Sequence, residues 1–185
     1  SSDLNGGKGA TEKEKEIISQ PYYSSQNTFA PRYYQRNAVN RTVEAIARDQ
    51  KRLLLVMATG TGKTYTAFQI VYRLLRAGMK KRVLYLADRN ILVDQSIEQD
   101  FQPLKKTIYK ADFSKADCLN KIRSHEITFA LYQQMVGLDD IEHFRQIPEG
   151  YFDLVIVDEC HRGSAKKDSN WRRILEYFAD ATPTD

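Results

Sequence analysis

The residues best suited to chemistry lie in "LLLVMATGTGKT", Leu53 to Thr64, where an apolar run meets a glycine-rich turn. The turn matches the phosphate-loop pattern G-x-x-x-x-G-K-[ST] at its last three positions, while Met57 stands at the first glycine position. Gly60 and Gly62 would let backbone N–H groups turn toward a β-phosphate at the start of a helix. The residues expected to hold the nucleotide phosphates are Thr59, Gly60, Thr61, Gly62, Lys63 and Thr64.

Two of these side chains have roles of their own. Lys63 would reach the β- and γ-phosphates as a point charge, and the Thr64 hydroxyl would ligate Mg²⁺. The first glycine of the pattern shapes the start of the loop rather than touching phosphate, so Met57 is compatible with a working loop. The alternative is a chance Gly-Lys-Thr in a surface loop, which the preceding strand and the following helix disfavour.

A second group of chemical residues follows the apolar run "LVIV" in "YFDLVIVDECHRGS". Asp158 at a strand end would hold Mg²⁺ through its water shell, and Glu159 would orient and deprotonate an attacking water. Paired carboxylates suit hydrolysis, although both could simply cap a helix start. His161 is expected to contact the γ-phosphate region or a neighbouring domain. With His125 and His143 in unrelated segments, no zinc-binding spacing is present.

The elements that must position these residues alternate along the chain. Four short apolar runs are expected to be strands: Leu53–Met57, Arg82–Ala87, Ile127–Leu131 and Leu154–Val157. The predicted helices between or after them are Thr64–Leu75, Ile91–Phe101, Asp117–Arg123 and Trp171–Phe178. This order predicts an α/β fold with an open, doubly wound, mostly parallel sheet covered by helices on both faces. Such sheets bind ligands beyond the carboxyl ends of their strands.

Composition sets wider limits. The 185 residues suffice for one domain, predicted over 31–185, after a linker or flexible lead-in over 1–30 with a short charged helix at Thr11 to Ile18. A net charge of +4 and a pI of about 9.0 are compatible with nucleic-acid contact without establishing it. The two cysteines form no CxxC pair, which favours a reducing, cytoplasmic setting. No apolar run approaches the ~20 residues of a membrane helix.

Five segments carry a family resemblance: "PRYYQRNAV", "MATGTGKT", "LADRNILVDQ", "ALYQQM" and "VIVDECHRGS". In this order they resemble superfamily-two helicases and translocases. More narrowly, they resemble the motor (R, HsdR-like) subunit of type I restriction enzymes over Ala30 to Asp185. The resemblance implies the first RecA-like domain of a three-layer α/β/α motor. It also implies ATP and Mg²⁺ as cofactors and double-stranded DNA, moved before cleavage, as a partner.

The resemblance also implies residue roles. Arg32 and Gln35 match the adenine-recognising motif, and a Gln amide can donate to and accept from the N6/N7 edge, which would select ATP over GTP. Gln35 could equally be an ordinary polar residue on an amphipathic helix, and Asn90 a helix N-cap. The implied contacts with the DNA backbone, which position without reading sequence, involve Arg89, Asn90, Gln95, Tyr132 and Gln133.

The family's other parts are absent from the sequence. The motor needs a second RecA-like domain with an arginine finger worth ~10³ to 10⁵ in rate, so we expect the chain alone to be nearly inactive. A nuclease domain and the methylation and specificity subunits are further implied partners. "FADATPTD" resembles the coupling motif, but the apolar strand expected between Phe178 and Ala181 is missing. Two alternatives are another superfamily-two helicase, of excision-repair or replication-restart type, and a nucleotide-switched DNA-binding module.

Overall fold

A parallel four-stranded sheet forms the centre of the molecule. The computed structural model describes residues 12–23, 32–48, 63–78, 80–87, 94, 97–137, 141–157 and 165–179, with the backbone alone for Lys63 and parts of the first and last helices. The strands are β1 (Val83–Ala87), β2 (Ile108–Lys110), β3 (Ile127–Leu131) and β4 (Leu154–Val157). Their order is β2-β3-β1-β4, and every pairing is parallel.

Three predicted strands are confirmed. β3 and β4 have the predicted bounds, and β1 begins at Val83, one residue later than expected. All five residues of β1 and of β3 are buried, which explains their unbroken apolar sequence. The sequence missed β2, because three half-buried residues are too few to show a period. The expected strand Leu53–Met57 lies outside the described residues.

Six helices accompany the sheet in the described ranges. They are α1 (Glu12–Ser19), α2 (Tyr33–Ala47), α3 (Lys63–Arg76), α4 (Cys118–Ser124), α5 (Tyr132–Val136) and α6 (Ala165–Ala179). Two 3₁₀ turns, Gln102–Thr107 and His143–Gln146, complete the described elements. Helices α3 and α4 match their predicted positions closely, α6 begins earlier than expected, and α5 was not predicted. Of the predicted helix Ile91–Phe101, residues 94 and 97–101 are described, and residues 94, 97 and 98 are helical.

Side chains of β1 alternate between two helical layers. Val83 and Tyr85 pack with Phe68 of α3, while Leu84 and Leu86 pack in a cluster with α4, α5 and α6. Because successive strand residues point to opposite faces, a fully apolar strand must be covered on both sides. The predicted α/β/α arrangement is confirmed.

Residues 12–23, which belong to the predicted lead-in, pack against the domain. The predicted charged helix is present as α1, but its Ile17 is 0% exposed and packs with Val39 and Val43 of α2 and Leu74 of α3. Burial of an apolar side chain between two helices is favourable, and a segment exposed to solvent would not gain this stabilisation. Residues 1–11 and 24–30 lie outside the described part.

Candidate nucleotide and DNA site

The strand register brings the motif-bearing segments to one edge of the sheet. Ala87 of β1 pairs with Leu131 of β3, and Leu86 pairs with Val157 of β4. Three chain segments therefore leave the sheet side by side at its carboxyl edge, beginning at residues 88, 132 and 158. These are the segments that carry the predicted DNA-facing and acidic residues, and this edge is where parallel α/β sheets bind ligands.

The helix predicted to follow the phosphate loop is present as α3 and begins within one residue of its expected start. Lys63 is the first residue of α3, and Thr64 lies half-buried in its first turn. The first turn contains no acidic residue. A helix N-terminus favours a bound anion, so these positions fit a phosphate, and the Thr64 hydroxyl is an oxygen of the kind that binds a magnesium ion. Loop residues Thr59 to Gly62 lie outside the described residues.

Helix α3 is held against the sheet by its apolar side. Phe68 is 1% exposed and meets the rings of Tyr23 and Phe101 edge-on, at centroid distances of 5.5 and 5.4 Å. Val71 and Leu74 continue the buried stripe with 0% exposure each. This packing positions the first turn of α3 relative to the strands.

Sequence reasoning missed a polar line on the same helix. Thr66 and Gln69 are 0% exposed and Arg73 is 3% exposed, although polar side chains are seldom buried so completely. Their spacing of three and four residues within an apolar helix face is a signal that could have identified them. Gln69 and Arg73 contact residues 12–23, the segment expected to be a linker.

The adenine-recognition candidates lie at the start of α2. Arg32 is its N-cap, with extended backbone angles (φ −66°, ψ 156°), and its backbone N–H donates to Gln35 Oε1 at 2.9 Å. Gln35 is 8% exposed, and this hydrogen bond gives its side chain a structural role at the start of the helix. An amide side chain has two donor and two acceptor positions, and this cap is compatible with base reading.

The structure separates the two DNA-facing candidates that follow β3. Tyr132 is 1% exposed and packs with Leu84, Met135 and other core residues, which argues against contact of its side chain with sugar-phosphate. Gln133, the next residue of α5, is partly exposed. The recurrence of Tyr132, Met135 and Val136 at helical spacing could have predicted the burial. Arg89, Asn90 and Gln95 lie outside the described residues.

The acidic segment is bracketed by two well-packed elements. Asp158, Glu159 and His161 lie outside the described residues, between the end of β4 and the start of α6. Helix α6 is anchored to the core by Ile174 and Phe178, which are 0% and 5% exposed. Both ends of the segment are thereby attached to the same core.

The charged groups beside α3 respond to burial. The pKa of Asp100 is raised because half-burial disfavours its carboxylate form. The pKa of Tyr65, directly after Thr64, is raised by burial and, more weakly, by the Asp100 charge, while a hydrogen bond with Gln69 opposes the shift. The phenol of Tyr65 therefore stays neutral at physiological pH and accepts from Gln69 Nε2 at 3.0 Å.

Two features are absent from the described residues. Within those ranges no helix is long and apolar enough to cross a membrane. The same part of the chain holds no group of three His, Cys, Asp or Glu side chains arranged for a metal ion. The predicted magnesium ligand Asp158 lies outside the described residues.

Comparison with known proteins gives consistent matches. The family model described as "Type III restriction enzyme, res subunit" matches residues 28–183. The type I restriction enzyme EcoAI endonuclease subunit of Escherichia coli is 51% identical over 176 residues, covering 95% of this chain and 21% of that protein. The chain thus spans about a fifth of the length of this relative.

Two solved structures resemble the chain. One, described as an HsdR subunit fragment of a type I restriction enzyme from Vibrio vulnificus YJ016, has a TM-score of 0.67 at 34% identity, covering 96% of this chain and 30% of that one. The UvsW helicase of bacteriophage T4 has a TM-score of 0.61 at 18% identity, covering 90% of this chain and 56% of that one. The second likeness bears on the fold alone, which is that of a helicase RecA-like domain.

Proposed function

Since this chain belongs to the family described as "Type III restriction enzyme, res subunit", as an HsdR-like helicase domain, we propose that it is the first motor domain of a type I restriction enzyme R subunit. In the complete enzyme it couples hydrolysis of ATP to translocation of double-stranded DNA before cleavage. The observation that carries this proposal is the shared carboxyl edge of β1, β3 and β4, where the motif segments leave the sheet together.

The nucleotide is held by the phosphate loop and the start of α3. Lys63 and the backbone N–H groups of Gly60 to Gly62 contact the β- and γ-phosphates, and Gln35 with Arg32 contacts adenine. Thr64 and Asp158 are the residues that would hold Mg²⁺, which supplies neutralisation of phosphate charge when bound.

Hydrolysis in this proposal depends on the second carboxylate of the acidic segment. Glu159 orients the attacking water and accepts its proton, and His161 contacts the γ-phosphate region. The register of β1 and β4 supports the proposal, because it directs this segment to the edge where α3 would present the phosphates.

DNA contact is assigned to the segments after β1 and β3. Arg89, Asn90, Gln95 and Gln133 touch the sugar-phosphate backbone and so hold the duplex without reading its sequence. Tyr132 supports them from the core, because its side chain is 1% exposed. The implied partners are a second RecA-like domain, a nuclease domain, and methylation and specificity subunits, in the cytoplasm.

Replacing Lys63 tests the proposal in the complete enzyme. Lys63→Ala should abolish ATP-driven translocation, because the γ-phosphate loses the positive charge of the lysine that stabilises it. Assembly with the other subunits should remain intact. Lys115→Ala is the matched control, since Lys115 is exposed and far along the chain from every motif. Normal translocation by Lys63→Ala, measured by displacement of a strand bound downstream on the DNA, would overturn the proposed function.

A further inference from the structure

The N-terminal strap, residues 12–23, is joined to α3 by one buried glutamine. The backbone N–H of Tyr23 donates to Gln69 Oε1 at 3.0 Å, and Gln69 Nε2 donates to the Tyr23 carbonyl at 3.2 Å. A single side chain thus satisfies both backbone groups of one strap residue. Gln69 is 0% exposed, so neither group has a ready exchange partner in water.

Arg73, one turn further along α3, joins the strap to α2 as well. Its Nη2 donates to the Ile17 carbonyl at 3.0 Å, and its Nη1 donates to Asn40 Oδ1 of α2 at 2.7 Å. The Tyr22 ring lies 4.8 Å from the guanidinium, in cation–π geometry. The Tyr22 hydroxyl also donates toward Asn40 Oδ1, at 2.5 Å. Asn40 Oδ1 therefore receives bonds from both the strap and α3.

This network is sensitive to small movements because its charge is buried. Arg73 is 3% exposed, and burial lowers its pKa, while Tyr22 and Glu44 oppose that shift. A buried cation without its partners is costly, so α2 and α3 are confined to the spacing at which Asn40 and the strap both reach Arg73.

The network joins α2 and α3, which are the two helices that contact the nucleotide in the proposed function. Asn40 lies five residues after Gln35, about 7.5 Å along α2 at 1.5 Å per residue. Gln69 and Arg73 follow Lys63 and Thr64 on α3. Hydrogen bonds to a base edge require donor–acceptor distances correct to a few tenths of an ångström. The spacing of α2 from α3 decides whether Gln35 meets adenine while the phosphates are held.

We propose that Asn40, Gln69 and Arg73 are positioning residues that fix α2 relative to α3 and thereby set the preference for ATP over GTP. This inference rests on the proposed function, in which Gln35 reads adenine. In this proposal the strap contributes to nucleotide selection through its contacts with these three residues.

The test measures dissociation constants for ATP and for GTP by calorimetry with the 185-residue chain. Asn40→Ala removes the oxygen shared by Arg73 and Tyr22 and should lower the ATP:GTP preference about three- to tenfold, the effect of misplacing one hydrogen bond. Asn40→Asp keeps an acceptor oxygen there and should restore the preference. Tyr22→Phe, which keeps the ring and loses the hydroxyl, should give a smaller decrease and serves if Asn40→Ala does not fold.

Two further variants distinguish a loss of positioning from a general loss of stability and from a loss of base reading by Gln35. Ile122→Val, in the core of α4 and away from the strap, lowers stability but should leave the preference unchanged. Gln35→Ala should reduce the preference at least as much as Asn40→Ala. If Gln35→Ala reduces it while Asn40→Ala and Tyr22→Phe do not, the positioning role is overturned and base reading stands. If Gln35→Ala has no effect, the proposed base reading is itself overturned, and the positioning role falls with it.

Discussion

Glu142 and Arg173 form an ion pair that ties the turn after α5 to helix α6. Arg173 Nη2 donates to Glu142 Oε1, and Arg145 Nε donates to Glu142 Oε2. The Tyr177 hydroxyl donates to the Ile147 carbonyl at 2.7 Å, which adds a second link across the same gap. The helix after β3 and the helix after the acidic segment are therefore held to one another as well as to the sheet.

This ion pair predicts an acid-dependent loss of stability. Hydrogen bonds from Arg145 and Arg173 lower the pKa of Glu142 below its ordinary value of 4.5. A depressed pKa in the folded state contributes stability above the unfolded pKa, and this contribution is lost as the pH falls through the folded value. We expect the melting temperature of Glu142→Gln to lie below that of the unaltered chain at pH 7.

The difference between these two melting temperatures should shrink as the pH falls below about 4.5, where the unfolded chain takes up the proton, and should be smallest below the lower pKa of the folded state, where the carboxylate is protonated in both states. Thermal unfolding followed by circular dichroism at a series of pH values would measure it. A gap that stays constant down to pH 3 would contradict the ion-pair explanation.

Adding a methyl group at Gly137, which ends α5, should cost more stability than adding one at Gly78, which follows α3. Both have positive φ, 71° and 70°, which L-residues rarely adopt, and Gly137 combines it with ψ 165°, a region that is essentially restricted to glycine. A Cβ at Gly137 would lie 2.8 Å from the Ile141 carbonyl and 3.2 Å from the His143 ring, whereas nothing lies within 4 Å at Gly78. Gly137→Ala should therefore lower the free energy of unfolding by more than Gly78→Ala does.

Denaturant unfolding of the two glycine variants gives the comparison directly. Both substitutions add the same methyl group at a positive φ, so the difference between them measures the contact with Ile141 and His143 together with the strain of ψ 165° at Gly137. Equal losses of unfolding free energy in the two variants would contradict this prediction, because the chain after α5 would then accommodate the methyl group without an added cost.

The sequence predicted the parts of the fold that depend on repeated local signals. β3 is an unbroken apolar run with both faces covered, and α3 has a glycine-rich start and a long apolar stripe. The packing of the strap was not predicted, because its attachment comes from Gln69 and Arg73, more than 40 residues away along the chain. No local period reports such a contact.

The same limit applies to the candidate site. A motif match assigns a residue type to a role but does not state which way the side chain points, so Tyr132 and Gln133 looked equivalent in "ALYQQM". In the structure Tyr132 occupies the core and Gln133 is partly exposed. Burial depends on which helices cover α5, and these come from distant parts of the chain.

The separation of Tyr132 from Gln133 predicts different effects on DNA binding. Tyr132→Phe keeps the buried ring, so the affinity of the complete enzyme for duplex DNA should be unchanged. Gln133→Ala should weaken that affinity about three- to tenfold, corresponding to one lost backbone hydrogen bond. Tyr132→Ala should instead reduce stability by about 3–5 kcal/mol through the cavity it leaves.

Fluorescence anisotropy with labelled duplexes at fixed salt concentration would measure both affinities. A loss of DNA affinity in Tyr132→Phe at unchanged melting temperature would mean that the phenol leaves the core in the working enzyme. The burial argument would then fail for this residue.

Glu159→Gln predicts that ATP binding and ATP hydrolysis can be separated. The amide keeps the size of the side chain but cannot accept a proton from water, so turnover by the complete enzyme should fall about 10²- to 10⁴-fold. ATP affinity should change little, since Lys63 and the phosphate loop are the groups proposed to hold the phosphates. Steady-state phosphate release and nucleotide titration measure the two quantities. Unchanged turnover would remove Glu159 from the chemistry and favour a module in which ATP only switches DNA affinity.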